Sequence, residues 1–258
     1  MTTRIAVTRG VSPAIVRCEL VHQERRPIDI TRATRQHGLY EEALTALGCR
    51  VEALPADPDL ADSVFVEDAA IVLDEVAVIT RPGAESRRPE TTAVARALAP
   101  YRPLLHIEAP GTLDGGDVLR IGRTLYVGLS GRSNQAAIDQ LSRALAPYRY
   151  AVRGVAVHGC LHLKSAVTAL GDDTVLVNAA WVDPTAFTGM RCLEIDARER
   201  GAANALRIGE RVIYPASFPA TRRRLALAGI DVLEVDVSEL QKAEGAVTCC
   251  SLVFEVPS

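Results

Sequence analysis

The 258-residue chain lacks the features that mark membrane, secreted and nucleic-acid-binding proteins. It has no apolar run near the roughly 18 residues that a membrane-spanning helix needs, so we expect no membrane partner. Its first residues alternate polar with apolar side chains and lack the hydrophobic region of a signal peptide, which predicts a cytoplasmic protein. The net charge is −3 and the one basic cluster is Arg222-Arg223-Arg224, which disfavours a nucleic-acid partner.

The six cysteines lack the spacing of a metal site or of a disulfide framework. None forms a CxxC pair, and their density is too low for a disulfide-stapled domain. Most are expected to be small buried side chains. The adjacent pair Cys249 and Cys250 is the exception, because neighbouring residues of a strand face opposite sides. One of these thiols can therefore pack in the core while the other faces a site.

What the sequence does contain is a repeated order of strand, tight turn, strand, helix and strand. Turns rich in Gly and Asp fall at residues 74, 122, 171 and 209 between short alternating runs, which is typical of β-hairpins. Their spacing of roughly 40–50 residues indicates a repeat architecture. The first strand, a helix over 31–47 and the last strand complete a fifth unit. We predict a single α/β domain over residues 1–258, built as a five-unit propeller that its two terminal strands close. A generic α/β sandwich of the same elements is the alternative.

Chemically reactive residues fall at one recurring position, just before each hairpin. Glu67 and Asp68 precede the first hairpin, Asp114 the second, His162 the third and Cys249 the last strand. Successive spacings are 47 residues from Glu67 to Asp114, 48 to His162 and 87, about two units, to Cys249. Equivalent positions in a ring of repeats converge on its axis. Carboxylates, an imidazole and a thiol would then line one funnel, which suits nucleophilic catalysis.

Each of these residues alone also has a plainer explanation. His158 and His162 have the spacing of a metal motif, but the segment alternates as a strand and no further ligand is evident, so we expect no metal. Residues 114–117 could form only a turn, since Gly and Asp favour turns on conformational grounds. Arg87 and Arg132 could be ordinary surface charges at a helix entry and in a loop.

Six stretches, spread in order over nearly the whole chain, resemble the dimethylarginine dimethylaminohydrolase family of the guanidine-modifying, pentein-fold superfamily. They are DSVFVED (62–68), RPGAESRRPE (81–90), LDGGDVL (113–119), VGLSGRSN (127–134), LHLKS (161–165) and TCCS (248–251). The resemblance implies a five-bladed α/β propeller. It also implies that the partner is a small-molecule guanidine amino acid and that no metal or organic cofactor is required.

The resemblance assigns the reacting end of the site to five residues. It makes Cys249 the nucleophile, His162 the general acid/base and Asp114 the carboxylate that orients the histidine. Glu67 and Asp68 correspond to substrate-site carboxylates, with Asp68 at the guanidinium. In the implied reaction the thiol attacks the guanidinium carbon, the imidazole protonates the departing amine, and water releases citrulline from a thiouronium intermediate.

The same resemblance assigns five residues to the amino-acid end of the substrate. Asp62 and the backbone of Leu20 and Ala243 would receive the amino-acid end of the substrate. Arg87 and Arg132 would hold the carboxylate in the bidentate manner that favours Arg over Lys.

Several alternatives stay open on the sequence alone. An arginine deiminase or an amidinotransferase would use the same chemistry on a related guanidine, and the pocket around the terminal nitrogens would decide between them. A non-catalytic propeller is disfavoured because Cys249, His162 and Asp68 are all present. A closed ring has no free sheet edge and is compatible with a monomer, while its helical outer face leaves a homodimer open.

Overall fold

The computed structural model describes residues 2–257, which form five three-stranded sheets of one pattern. In each sheet a first strand pairs antiparallel with a central strand, and the third strand pairs parallel with that central strand. The terminal sheet joins the last strand of the chain to the first two. In chain order the strands are β1 (Thr2–Arg9), β2 (Cys49–Leu54), β3 (Ala70–Val72), β4 (Ala77–Ile79), β5 (Leu104–His106), β6 (Val118–Ile121), β7 (Thr124–Leu129), β8 (Ala151–Ala156), β9 (Val167–Ala169), β10 (Thr174–Val177), β11 (Arg191–Glu194), β12 (Leu206–Ile208), β13 (Arg211–Pro215), β14 (Asp231–Val235) and β15 (Leu252–Pro257).

Two of the longer helices begin at a residue whose side chain caps the first turn. Asp29 accepts the backbone N–H of Arg32 at the start of the first helix, and Asn134 accepts that of Ala137 at the start of the third. The α-helices are α1 (Ile30–Ala46), α2 (Thr91–Leu98), α3 (Gln135–Leu145), α4 (Leu163–Ala166), α5 (Pro219–Leu227) and α6 (Ser238–Gln241). Short 3₁₀ helices cover Pro13–Arg17, Val66–Ala69, Glu85–Glu90, Gly115–Asp117, Ala146–Tyr148 and Pro184–Ala186. Within residues 2–257, none of the helices has both the length and the apolar character needed to cross a membrane.

The core lies between the sheets and the helices that cover them. Helix α3 buries Ala137, Ile138, Leu141 and Leu145, the one-sided spacing of an amphipathic helix. Strand β10 is buried along its whole length, as expected for the central strand of a covered sheet. Each loop that precedes the first strand of a sheet is thus attached to a strand that packs in the core.

The α/β class that the sequence predicts is confirmed. The predicted hairpins at residues 74, 122, 171 and 209 all occur, and strand β9 packs against both β6 and β12. The sheets are small and separate, and their closure into a five-unit propeller stays a prediction.

Two sequence-based placements on strands are wrong. Strand β8 ends at Ala156, and Gly159 with φ +68° ends the extended run before His162. Cys249 and Cys250 lie in a turn before β15, where the Cys249 N–H donates to the carbonyl of Ala246 at 3.2 Å. The two thiols still differ as expected, since Cys250 is fully buried and Cys249 only partly so.

Candidate active site

Four segments that each precede a first strand bring the reactive residues together. Glu67 and Asp68 lie in the 3₁₀ helix before β3, and Asp114 caps the 3₁₀ helix before β6. His162 directly precedes helix α4, which leads into β9, and Cys249 lies in the turn before β15. The small cavity at which these segments meet is lined by Glu19, Asp62, Phe65, Asp68, Arg87, Arg132, Leu161, His162, Ala243, Glu244, Gly245 and Cys249.

His162 lies between two carboxylates. Its Nε2 is 3.0 Å from Oδ2 of Asp114, and its Nδ1 is 3.8 Å from Oδ1 of Asp68. Burial alone would lower the pKa of His162, but Asp68, Asp114 and Asp117 together raise it to about 9. A Cβ at Gly116 would lie 2.6 Å from Nδ1, so the glycine permits this close approach. At neutral pH both ring nitrogens of His162 are therefore protonated, and the imidazole is a cation.

Cys249 presents a thiol in a negative environment. Its carbonyl accepts the Glu67 N–H at 3.1 Å, which ties the turn to the carboxylate-bearing 3₁₀ helix. Burial, then Glu67 and Asp68, raise the pKa of the thiol well above its ordinary value. A cation bound beside the sulfur would oppose these contributions and favour the thiolate.

Asp68 is a charged carboxylate despite its burial. Its Oδ1 accepts the Gly116 N–H at 2.8 Å, and its Oδ2 accepts from Nη1 of Arg87 at 2.5 Å. Burial would raise the pKa of Asp68, but the charges of His162 and Arg87 hold it well below the usual range. A fixed negative charge thus faces the cavity beside the thiol and the imidazole.

Arg87 is buried, so its interpretation as a surface charge is wrong. Its guanidinium donates to Glu90, to Asp68 and to the carbonyls of Asp62 and Phe65. These acceptors engage most of its N–H groups within the protein. Burial raises the pKa of Glu90 to about 7, although Arg87 opposes that shift.

Arg132 is also buried, which excludes the surface interpretation for it as well. Its Nη1 has no hydrogen-bond partner in the structure, and the nearest acidic atom is Oδ2 of Asp114 at 3.8 Å. A buried N–H without a partner costs free energy unless a ligand satisfies it. Arg132 therefore offers a donor to an anionic group in this cavity.

Of the three other residues predicted at the amino-acid end of the substrate, Asp62 and Ala243 line the cavity and Leu20 does not. Asp62 is buried and accepts the Glu19 N–H at 3.1 Å, and burial raises its pKa. Ala243 lines the cavity, and the role of its backbone toward the substrate stays a prediction. Leu20 does not appear among the residues that line it; its neighbour Glu19 does, while the Leu20 side chain packs against the core that includes Ala243.

Glu67 does not line the cavity, and both of its carboxylate oxygens accept hydrogen bonds from other residues. Its Oε1 accepts from Nζ of Lys164 at 2.5 Å, and its Oε2 accepts from the hydroxyl of Thr248 at 2.8 Å. Burial raises the pKa of Glu67, and the Lys164 charge opposes the shift. Asn204 fixes Thr248 by donating to its hydroxyl and accepting its N–H. Thr248, the residue before Cys249, is thus anchored from two sides.

Sequence reasoning missed the site roles of Lys164, Thr248, Glu90 and Glu244. Glu244 accepts the N–H groups of Val21 and His22, and thereby holds that segment beside the cavity. Its φ of +57°, unusual for a residue with a side chain, could not be read from the sequence. The signal for the first two was their place within the LHLKS and TCCS stretches.

Asp68, Asp114 and His162 also place their ligand atoms within 4.8 Å of one another, as a metal site would. The fit to a metal is poor, because Asp68 already accepts from Arg87 and Gly116. A protonated imidazole between the two carboxylates, together with Arg87 on Asp68, already supplies the positive charge that a metal would bring. The expectation of no metal stays a prediction.

Comparison with known proteins gives concordant matches. Residues 56–204 match the arginine deiminase family model. The chain is 46% identical over 255 residues to N(G),N(G)-dimethylarginine dimethylaminohydrolase of Streptomyces coelicolor, covering 98% of this chain and 97% of that protein. It resembles the Pseudomonas aeruginosa enzyme, solved as a cysteine-to-serine mutant complexed with citrulline, with a TM-score of 0.93 and 34% identity over 98% of this chain and all of that one. A dimethylarginine dimethylaminohydrolase adduct with S-methyl-L-thiocitrulline superposes with a TM-score of 0.93 at 35% identity, again over 98% of this chain and 100% of the other.

Proposed function

The chain belongs to the dimethylarginine dimethylaminohydrolase family and is a hydrolase of guanidino C–N bonds, and we propose that it converts Nω-methylated arginines to citrulline and a methylamine. The substrates in this proposal are asymmetric dimethylarginine and monomethylarginine. Citrulline in the complex of the Pseudomonas aeruginosa relative is the amino acid that this reaction would produce.

The observation that carries the proposal is the set of groups around one cavity. A thiol, a protonated imidazole and a fixed carboxylate line it, and so does a buried arginine with a free donor. These groups match the needs of a substrate that carries a guanidinium cation at one end and a carboxylate at the other. The charges of Asp68 and Glu67 beside Cys249 suit a cation far better than a neutral or anionic reacting group.

In the first half of the reaction, the bound guanidinium lowers the pKa of Cys249, and the partly exposed thiol releases its proton to solvent. The thiolate then attacks the guanidinium carbon, and a bond forms between sulfur and carbon. Asp68 holds the cation by charge-assisted hydrogen bonding while the carbon approaches the sulfur. Such orientation lowers the barrier by several kcal/mol.

His162 acts when the carbon–nitrogen bond breaks. Its proton, held at neutral pH by Asp68 and Asp114, passes to the departing dimethylamine or methylamine. The neutral imidazole then takes a proton from water, which attacks the thiouronium carbon. As the carbonyl of citrulline forms, the carbon–sulfur bond breaks and the hydroxyl proton of the adduct returns to the sulfur. The overall reaction consumes one water, and the released amine takes up the proton that the thiol gave to solvent.

The amino-acid end of the substrate lies toward Arg132 and Asp62. Arg132 donates to the substrate carboxylate through its unpartnered Nη1. Asp62, with the backbone of residue 20 and of Ala243, receives the substrate amino group. Arg87 faces the same cavity, but its bonds to Glu90 and Asp68 make its larger contribution the support of those carboxylates.

We also infer that the five sheets close into a five-unit α/β propeller. Support comes from a second cavity of about 380 Å³, which is lined by residues of β3, β6, β9, β12 and β15, the first strand of every unit. In a ring of this kind, those strands surround the axis. The loops before them would then meet at one end of the axis, where the candidate active site lies.

Citrulline release from asymmetric dimethylarginine, monomethylarginine and arginine, assayed in parallel, tests the proposed function. We expect release from the methylated substrates, loss of that release in Cys249→Ser, and retention in the matched variant Cys192→Ser, whose thiol lies outside the cavity. Release mainly from arginine would identify a deiminase instead. Absence of citrulline with all three substrates would refute the proposal.

A further inference from the structure

Asp117 is a fully buried carboxylate that the reaction scheme above does not use. It ends the 3₁₀ helix Gly115–Asp117 and does not line the cavity with Cys249. Both of its oxygens accept hydrogen bonds. Oδ2 accepts from the hydroxyls of Ser130 and Ser133, each at 2.6 Å, and Oδ1 accepts from the Leu163 N–H at 2.9 Å.

Each of these partners is one step from a residue of the site. The Ser133 oxygen accepts the Asp114 N–H at 3.1 Å. The Ser130 oxygen accepts the Arg132 N–H at 3.0 Å. Leu163 directly follows His162 in the chain. One carboxylate thus links three segments of the backbone, which carry Asp114, Arg132 and His162.

We propose that Asp117 is a positioning residue that fixes Asp114, Arg132 and His162 relative to one another through two serine hydroxyls and one backbone N–H. This inference rests on the proposed function for the roles of those three residues. Asp117 itself touches no reacting atom, so it acts through its hydrogen-bonded partners and through the charge that it presents to His162.

The hydrogen-bond chemistry at this position requires an acceptor on every side. Each serine hydroxyl has one proton, which it donates to Asp117 while its oxygen accepts a backbone N–H. An asparagine in place of Asp117 would put an NH₂ group either against the serines or against the Leu163 N–H. In the first orientation the serine protons lose their acceptor, and in the second two donors face each other.

Strand β7 packs directly against the Asp117 carboxylate. A Cβ at Gly128 in strand β7 would lie 2.6 Å from Oδ1 of Asp117 and 2.9 Å from Cβ of Leu163. The strand backbone therefore lies directly against the carboxylate, and glycine is the residue that allows this approach. The links from Asp117 are direct, and a small displacement of the carboxylate would pass to all three segments.

The two serines divide most of the effect into two branches, which one contact joins: the Ser130 oxygen also accepts the Ser133 N–H at 3.3 Å. Ser133→Ala removes the acceptor for Asp114, the partner of His162, and should chiefly lower kcat. Ser130→Ala removes the acceptor for Arg132, which binds the substrate carboxylate in the proposed function, and should chiefly raise KM. A general loss of packing would instead change both constants in the same way in both variants.

The test compares Asp117→Asn, Ser130→Ala and Ser133→Ala in the full chain, with Asp139→Asn on the exposed surface of α3 as control. For Asp117→Asn we expect kcat/KM to fall by about 10²-fold, the loss typical of a misplaced reacting group. Asp139→Asn should match the wild type. Should Asp117→Asn fail to fold, the kcat and KM split between the serine variants still decides the question.

A second readout needs no turnover. Asp117 helps to raise the pKa of His162 to about 9, so an NMR titration of that imidazole should show a lower pKa in Asp117→Asn. The positioning role is refuted if Asp117→Asn changes neither the His162 pKa nor kcat/KM. It is also refuted if kcat falls and KM rises by the same factors in Ser130→Ala as in Ser133→Ala. Failure of the wild-type enzyme to release citrulline would refute the proposed function, while the titration would still test the link between Asp117 and His162.

Discussion

Replacing Arg87 with methionine should destabilise the protein far more than the same replacement at its neighbour Arg88. The Arg87 guanidinium is buried and faces three carboxylates, those of Asp62, Asp68 and Glu90. Methionine fills a similar volume but leaves these groups without their cation. Arg88 lies in the same 3₁₀ helix, yet its ion pair is with Glu85, whose side chain is 83% exposed.

The expected size of the effect follows from that difference in burial. Breaking a buried ion pair by removing one partner costs about 3–5 kcal/mol. A pair as exposed as Arg88 with Glu85 contributes about 1 kcal/mol or less. Since about 1 kcal/mol lowers Tm by roughly 2–4 °C in chains of this size class, Arg87→Met should melt at least about 6 °C below the wild type.

Urea unfolding at two pH values measures the effect and tests its cause. Burial raises the pKa of Glu90 to about 7 even with Arg87 present, so protonation below that pH relieves part of the uncompensated charge. The destabilisation by Arg87→Met should therefore be larger at about pH 8 than at about pH 5. Equal losses for Arg87→Met and Arg88→Met, or a loss that grows as the pH falls, would refute this reasoning.

Further predictions concern the imidazole, the segment beside the cavity and substrate recognition. Because His162 must carry its proton, kcat/KM should fall as the pH rises through about 9, which a pH–rate profile measures. Glu244→Gly, which suits the φ of +57°, should speed hydrogen exchange at the Val21 and His22 amides while global stability changes little; unchanged exchange would contradict this. Asp62→Asn should raise KM for methylarginines but not for guanidines that lack the α-amino group, a contrast that steady-state kinetics would detect.

The repeat in the sequence predicted much of the fold because turn residues and alternation are local signals. The Gly122 turn between β6 and β7 is one example, since its φ of +56° is what glycine allows at low cost. Local signals fail where a glycine or a buried polar group stops a strand. Residues 158–162 alternate like a strand, but Gly159 turns the chain and leaves His162 at the start of a helix.

The sequence also predicted that the reactive residues lie close together, because each of them occupies the same position in its repeat. The supporting contacts of Lys164 and Glu244 could not be predicted, because they join segments that lie far apart in the chain. Glu90 lies only three residues from Arg87, but the burial of that pair is not visible in the sequence. Arg87 shows the limit most clearly. The sequence marks it as a candidate ligand for an anion, whereas the structure pairs its guanidinium with Asp68 and Glu90.

The central claim of this account is that Cys249 attacks the substrate and carries it as a covalent intermediate. Acid quenching within the first turnover of asymmetric dimethylarginine, followed by peptide mass spectrometry, tests that claim most directly. The account predicts an added mass equal to the substrate less dimethylamine, located on Cys249 rather than on the adjacent, fully buried Cys250. Citrulline release without any adduct on Cys249, or release that persists in Cys249→Ser, would contradict it.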